Sequence, residues 1–117
     1  MELVAFAGND KESWGQISGL INNGQWNKVI VVQSRNAEKF PADNAEILSV
    51  DSGMPLVELK NVLQERLKKY ISGEFEVAVS IASGSGKEHM ALVSALLNIP
   101  VGIKLAVFTK NGVEFIT

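Results

Sequence analysis

Cysteine and long apolar runs are both absent from this 117-residue chain, and each absence removes a class of protein. Without cysteine the chain forms no disulfides and offers no thiolate metal ligands, but this absence does not indicate in which cellular compartment the protein is found. No segment approaches the roughly 20 consecutive apolar residues that a membrane-spanning helix needs. The first residues lead directly into a strand pattern, without the basic segment and cleavage site of a signal peptide. We therefore expect a cytoplasmic protein with no membrane partner.

Excess positive charge is missing as well. The formal net charge is −2, so we expect no broad basic surface and no duplex nucleic acid as a partner. A pocket for one small anion needs only a lysine or two and some backbone donors, which this charge permits. The chain has a single histidine and no pattern of paired carboxylates, so we expect no metal and no cofactor.

The composition that remains is that of one folded domain. Hydrophobic residues make up 46% and charged residues 21% of the chain, enough to bury one core over residues 1–117. Apolar runs predict six strands, and apolar residues at helical spacing predict three helices. The strands are predicted at Glu2–Ala7, Lys28–Gln33, Ile47–Val50, Phe75–Ala82, Ile103–Thr109 and Val113–Ile116, and the helices at Trp14–Ile21, Pro55–Tyr70 and Lys87–Ile99.

The order of these elements predicts the fold class. The run Val29–Val32 is entirely β-branched, which is typical of strands buried on both faces of a parallel sheet. Asn111-Gly112 is a strong signal for a tight hairpin before the last strand. We expect an α/β fold, a Rossmann-like three-layer sandwich with a mostly parallel six-stranded sheet and a C-terminal antiparallel hairpin.

Local patterns add three expectations. The polar segment Ser34–Asn44 should be a loop with one helical turn at Ala37–Phe40. Gly15 and Gly19, four residues apart, indicate close packing against a neighbouring backbone. The helix Lys87–Ile99 is apolar nearly all round, so we expect it to be buried, partly against another subunit.

The segment from Ser83 to His89 is the strongest indication of a binding site. A glycine- and serine-rich turn lies here between a strand and the start of a helix, where backbone N–H groups lack helical partners. These donors and the positive end of the helix dipole favour a phosphate or a carboxylate. Lys87 adds a full positive charge at the same mouth.

A second turn, Gly8-Asn9-Asp10, follows the first strand. Ligands of open parallel sheets bind outside the carboxyl ends of the strands, so the two turns line one crevice if strands one and four are neighbours. The turn residues also have structural alternatives, as helix caps or, for the histidine, as a packed imidazole. The candidate ligand-binding residues are Gly8, Asn9, Asp10, Ser83, Gly84, Ser85, Gly86, Lys87 and His89.

Two nucleotide motifs are excluded by single positions. A Walker A motif requires glycine where this chain has Ile81, and serine or threonine where it has Glu88. The dinucleotide fingerprint is missing after the first strand, because Gly8-Asn9-Asp10 lacks the second and third glycines. We therefore expect neither a P-loop ATPase nor a nicotinamide enzyme.

The loop after the fourth strand and the closing hairpin together resemble the CRISPR-associated Rossmann fold (CARF) domains. Those domains commonly carry a Thr-Gly-Gly-Thr-Lys-like turn at this place, and the matching residues here are Ser83-Gly84-Ser85-Gly86-Lys87. The resemblance covers the element order of nearly the whole chain. It implies a homodimer whose two crevices join across a two-fold axis and bind a symmetric cyclic oligoadenylate.

Three functions stay open at this point. The leading hypothesis is a sensor that binds a nucleotide, of the cyclic oligoadenylate type, at a dimeric cleft. A second is a metal-independent ring nuclease, in which a ribose 2′-hydroxyl attacks a phosphate and Lys87, the candidate catalytic residue, steadies the developing charge. The third is a structural or interaction domain in which the glycine loop only turns the chain.

Overall fold

Six strands lie side by side in one sheet, in a computed structural model that describes residues 1–71 and 75–117. The strands are β1 Glu2–Ala7, β2 Lys28–Ser34, β3 Ala45–Val50, β4 Glu76–Ser80, β5 Gly102–Thr109 and β6 Gly112–Phe115. Their order across the sheet is β3-β2-β1-β4-β5-β6. All neighbours are parallel except β5 and β6, which form an antiparallel hairpin. The predicted α/β, Rossmann-like fold class is confirmed.

Three α-helices cover the two faces of this sheet. After a short 3₁₀ turn at Lys11–Ser13, α1 (Trp14–Asn23) packs on one face, and α2 (Leu56–Leu67) and α3 (Gly86–Leu97) pack on the other. Alternating residues of β1 point to opposite faces, Leu3 towards α1 and Val4 towards α2 and α3. Both faces of the central strands are therefore buried, which explains their nearly continuous apolar runs.

The surroundings of the two glycines of α1, Gly15 and Gly19, differ from those predicted. A Cβ at Gly19 would lie 2.2 Å from the ring atom Cδ2 of Phe108, so this glycine makes room for a side chain of β5. Apart from its chain neighbours and the backbone of its own helix, a Cβ at Gly15 would meet no atom of the described residues within 4 Å. The prediction that both mark contact with a neighbouring backbone is wrong, because one faces a ring and the other faces open space.

The connection between β2 and β3 is a loop without the helical turn predicted at Ala37–Phe40. The buried Gln33 side chain determines its path: Nε2 donates to the carbonyl of Glu38 and Oε1 accepts from the amide of Phe40. These bonds hold Phe40 against Trp14, with ring centroids 5.2 Å apart. The backbone groups of this segment are thus engaged by a side chain instead of by a helix.

Only one side of α3 is buried within the chain. Its inner face, formed by Ala91, Leu92, Ala95 and Leu96, packs into the core, whereas Met90 and Leu97 are 61% and 69% exposed. Within one chain the predicted burial therefore holds for the inner face of α3, and burial of the outer face against another subunit stays a prediction. In the described ranges, no helix combines the length and the apolar character needed to cross a bilayer.

Candidate ligand-binding crevice

A crevice lies at the carboxyl ends of β1 and β4, where the strand order reverses. From β1 the chain proceeds outwards to β2 and β3, and from β4 it proceeds the other way to β5 and β6. The turn after β1 leads to α1 on one face, and the turn after β4 leads to α3 on the other. Because the two turns diverge, a gap opens between them, which is the usual ligand position in such sheets.

The gap is a cavity of about 280 Å³. Its lining combines main-chain and polar side-chain groups with two carboxylates, and no lysine or arginine of the described residues belongs to it. The lining residues are Asn9, Asp10, Ser13, Ala82, Ser83, Gly84, Ser85 and Glu88. β1 and β4 are neighbours, as a shared crevice requires, with Ala5 paired to Ser80 at the last register position.

The base of the crevice is a contact between two glycines. A Cβ at Gly8 would lie 2.6 Å from Cα and 2.7 Å from N of Gly84, so the two backbones touch. Gly84 has φ of +103°, in the left-handed region that side-chain-bearing residues disfavour. Both positions therefore require glycine, Gly8 for the close approach and Gly84 for its backbone conformation.

Ser83, a buried residue that is 1% exposed, fixes this contact with its hydroxyl. Its Oγ accepts a hydrogen bond from the Gly8 amide at 2.8 Å and lies 2.6 Å from the hydroxyl of Ser13. The Ser13 hydroxyl also lies 2.6 Å from the carbonyl of Asp10, and the indole Nε1 of Trp14 donates to the carbonyl of Gly8. The Ser83 hydroxyl therefore joins the two turns and is engaged by the protein itself.

The start of α3 carries a reciprocal cap. The hydroxyl of Ser85 accepts from the Glu88 amide at 3.2 Å, and Oε1 of Glu88 accepts from the Ser85 amide at 2.8 Å. The hydroxyl of Ser52, in the turn after β3, donates to Oε2 of Glu88 at 2.7 Å. The sequence predicts that an anionic ligand binds at the start of α3. The Glu88 carboxylate of the chain itself already accepts from the first amide there, that of Ser85.

Lys87 lies outside the crevice lining. Its Nζ donates to the carbonyl of Ser52 at 2.9 Å, so the ammonium group reaches towards the turn after β3. The amides of Gly86 and of Lys87 itself have no acceptor within residues 1–71 and 75–117, as is usual in the first turn of a helix. The cation predicted at the mouth is therefore bonded outside the crevice, while two free amides remain at the helix start.

His89 has a structural contact. Its Nε2 lies 2.6 Å from the carbonyl of Ser83, so this ring nitrogen donates to the loop, and the half-buried imidazole does not line the crevice. It is also one of the atoms that a side chain at Gly84 would meet, at 3.1 Å. His89 thus supports the loop from behind, as in the packed alternative that the sequence allowed.

The nine predicted residues therefore separate into three groups. Asn9, Asp10, Ser83, Gly84 and Ser85 line the crevice, Gly8 forms its base, and Gly86, Lys87 and His89 lie beside it. Asp10 also caps the 3₁₀ turn by accepting from the Glu12 amide at 3.1 Å, so its second function is structural.

Sequence reasoning missed Ser13, Ala82 and Glu88 as lining residues. The role of Glu88 could have been predicted, since Ser85-Gly86-Lys87-Glu88 has the spacing of a capping box. No pattern in the residues around Ser13 indicates that it lines the crevice. Among the described residues, no group of three or more metal-ligating side chains is placed to hold a metal ion.

Comparisons of the chain with protein-family models, with curated proteins and with solved structures found no match. The resemblance to the CARF domains accordingly stays a prediction, whereas the α/β fold and the geometry of this crevice are features of the structure itself.

Proposed function

We propose that this domain is a cytoplasmic nucleotide-sensing module that binds a second messenger of the cyclic oligoadenylate type between the turns after β1 and β4. The observation that carries this proposal is the cavity of about 280 Å³ at the reversal of strand order, lined by polar groups from both turns. The choice of ligand rests on the resemblance of the Ser83–Lys87 turn to that of the CARF domains.

The crevice offers acceptors for the nucleoside part of such a ligand. The carboxylate of Asp10 uses one oxygen for the Glu12 amide, which leaves the other to accept from a ribose hydroxyl or an adenine amino group. The exposed side-chain amide of Asn9 supplies both a donor and acceptors at the same rim. Hydrogen bonds to an ionised acceptor are the stronger kind, so Asp10 is the side chain we expect to orient the ribose.

The phosphate part would lie at the start of α3. The amides of Gly86 and Lys87 are available there, and the helix dipole favours negative charge. The exposed bond of the Lys87 ammonium to the Ser52 carbonyl is readily exchanged, since a phosphate is a better acceptor than a neutral carbonyl. Binding would therefore move Lys87 from Ser52 to the ligand.

A symmetric ligand calls for two copies of the crevice, and we include a homodimer in the proposal. Support comes from the outer face of α3, the helix that begins at the crevice. Met90 and Leu97 lie seven residues apart on this face and are both exposed, and large exposed apolar side chains at such spacing favour a protein contact. Pairing two α3 helices through this face would bring the helix starts of two copies into one assembly.

Calorimetric titration with cyclic tetra-adenylate and cyclic hexa-adenylate tests the proposal, with linear tetra-adenylate as the control for non-specific phosphate binding. We expect heat of binding and a rise in melting temperature for a cyclic ligand only. If neither cyclic ligand gives heat or a thermal shift, the sensor function is abandoned and only the fold remains.

A further inference from the structure

A second cavity lies on the α1 face of the sheet, at the carboxyl ends of β2 and β3. Its volume is about 360 Å³, within the range of about 300–1,000 Å³ typical of small-molecule sites. We call this cavity the β2–β3 trough, and its lining residues are Gln33, Arg35, Ala37, Lys39, Ile47 and Ser49. The trough is open because α1 packs mainly against β1, β5 and β6, and none of the described helices contributes a residue to its lining.

The walls of the trough are held by hydrogen bonds. Gln33 is 2% exposed, and its two amide contacts fix the segment from Glu38 to Phe40 as one wall. The Arg35 amide donates to the carbonyl of Val50 at 2.9 Å, which anchors the other end of the loop to β3. The cavity is thus formed before any ligand arrives, and little ordering is needed on binding.

The rim of the trough is cationic, in contrast to the acidic crevice between β1 and β4. Lys39 is exposed and has no ionic partner within residues 1–71 and 75–117. Arg35 Nη2 lies 3.2 Å from Asp51 Oδ2, in an exposed pair of the kind that is easily exchanged for a better anion. The carboxylate of Glu38, which lies between Ala37 and Lys39 in the chain, is paired with Lys11 and is not part of the lining.

The floor of the trough is partly apolar. Ile47 and Ala37 are half-buried and offer carbon surface, and the exposed hydroxyl of Ser49 adds a donor beside them. A ligand that fits must combine an anionic group for the rim with a flat body for the floor. An arginine and a lysine on one rim suit a phosphate in particular, since guanidinium binds phosphate oxygens in pairs and ammonium adds a point charge.

We propose that the β2–β3 trough is a second ligand site, which binds the phosphomonoester of a nucleotide through Arg35 and Lys39. The base or ribose contacts Ile47 and Ala37, and Ser49 donates a further hydrogen bond. This site is separate from the crevice of the proposed function, and neither requires the other.

Nuclear magnetic resonance of the full chain tests the proposal directly. Titration of ¹⁵N-labelled protein at low ionic strength with 5′-AMP is expected to shift the amides of residues 35–39 and 47–49. Inorganic phosphate alone should shift the same amides at higher concentration, and adenosine should shift them little. These arms separate a nucleotide from free phosphate as the source of the anion, because only the nucleotide also uses the apolar floor.

Three substitutions change the rim charge in opposite directions. Arg35→Ala and Lys39→Ala should each weaken 5′-AMP binding by about tenfold or more, the usual effect of losing a charge-assisted hydrogen bond. Asp51→Asn should strengthen it, because it releases Arg35 while its oxygen still accepts from the Gly53 amide. Lys69→Ala is the matched control, since Lys69 is an exposed lysine just beyond the end of α2 and outside the lining.

The proposal is overturned if 5′-AMP leaves these amides unshifted, or if Arg35→Ala weakens binding no more than Lys69→Ala does. It is also overturned if Lys87→Ala abolishes 5′-AMP binding while Arg35→Ala has no effect, which would place the nucleotide in the crevice. Failure of the cyclic ligands together with an intact response to 5′-AMP would remove the sensor function and leave this site standing. Amide spectra of each variant without ligand verify that it is folded.

Discussion

The contact between Gly8 and Gly84 gives the sharpest test of the crevice geometry. Gly8→Ala places a methyl group 2.6 Å from Cα of Gly84, where an ordinary carbon contact needs about 3.5–4.0 Å. The two backbones must therefore separate by roughly 1 Å. They cannot do so freely, because β1 and β4 are paired from Glu2 and Val77 to Ala5 and Ser80 just before these turns.

The size of the effect follows from two contributions. Forcing a methyl group into a close-packed site costs about 1–3 kcal/mol. Moving the turns apart also stretches the 2.8 Å bond from the Gly8 amide to the Ser83 hydroxyl, worth about 1 kcal/mol. We expect Gly8→Ala to lower the free energy of unfolding by about 2–4 kcal/mol, a large part of the roughly 5–15 kcal/mol typical of a domain.

Gly15→Ala is the matched control, because the same methyl group is added where, outside its own helix, no atom of residues 1–71 and 75–117 lies within 4 Å. Gly15 belongs to α1, and alanine is favoured over glycine in a helix by up to about 1 kcal/mol. Urea denaturation followed by circular dichroism should give a lower midpoint for Gly8→Ala and an equal or higher one for Gly15→Ala. If Gly8→Ala is as stable as the unchanged protein, the turns do not touch and the crevice is wider than described.

Three further outcomes are expected. Ser83→Ala should destabilise the fold by about 1–3 kcal/mol, because the buried Gly8 amide loses its acceptor. Ser80→Ala should be neutral or stabilising, because the buried Ser80 hydroxyl has no partner among the described residues. The midpoints of urea denaturation compare the two variants. Met90→Glu should shift a dimer to monomer in light scattering, while Ile116→Glu, on a residue of similar exposure just beyond β6, should not. Lys87→Ala should weaken binding of a cyclic oligoadenylate and Glu88→Gln should strengthen it, both measured by calorimetry against Lys69→Ala.

Patterns that depend on neighbours along the chain were predictable. The β-branched run Val29–Val32 indicated burial on both faces, and it lies in β2 between two parallel neighbours. Asn111-Gly112 indicated a hairpin, and Gly112 does adopt φ of +98° at the start of β6. The neighbouring positions of β1 and β4 had to be assumed for the shared crevice, because local periodicity does not say which strands pair.

The hydrogen-bond partners of the site side chains could not be predicted from the sequence, because they depend on contacts between distant segments. The direction of the Lys87 side chain depends on the Ser52 carbonyl, 35 residues earlier, which reaches α3 only because the turn after β3 packs beside it. The hydrogen bonds by which the Ser83 hydroxyl joins the two turns likewise depend on Gly8 and Ser13, which come close through the pairing of β1 with β4. The turn chemistry of residues 83–89 was visible, but the partners of its side chains were not.

Glu88 decides which part of a ligand lies at the start of α3. A phosphate bound to the Gly86 and Lys87 amides would lie on the order of 5 Å from the Glu88 carboxylate, and at an effective dielectric constant near 20 the repulsion is about 3 kcal/mol. This repulsion is comparable to the gain from one or two charge-assisted hydrogen bonds, about 1.5–3 kcal/mol each. Glu88→Gln keeps an oxygen for the Ser85 amide and removes the charge, so a phosphate at this place must bind more tightly to the variant. If the variant binds more weakly, Glu88 is itself an acceptor for a ribose or adenine donor, and the phosphates lie elsewhere.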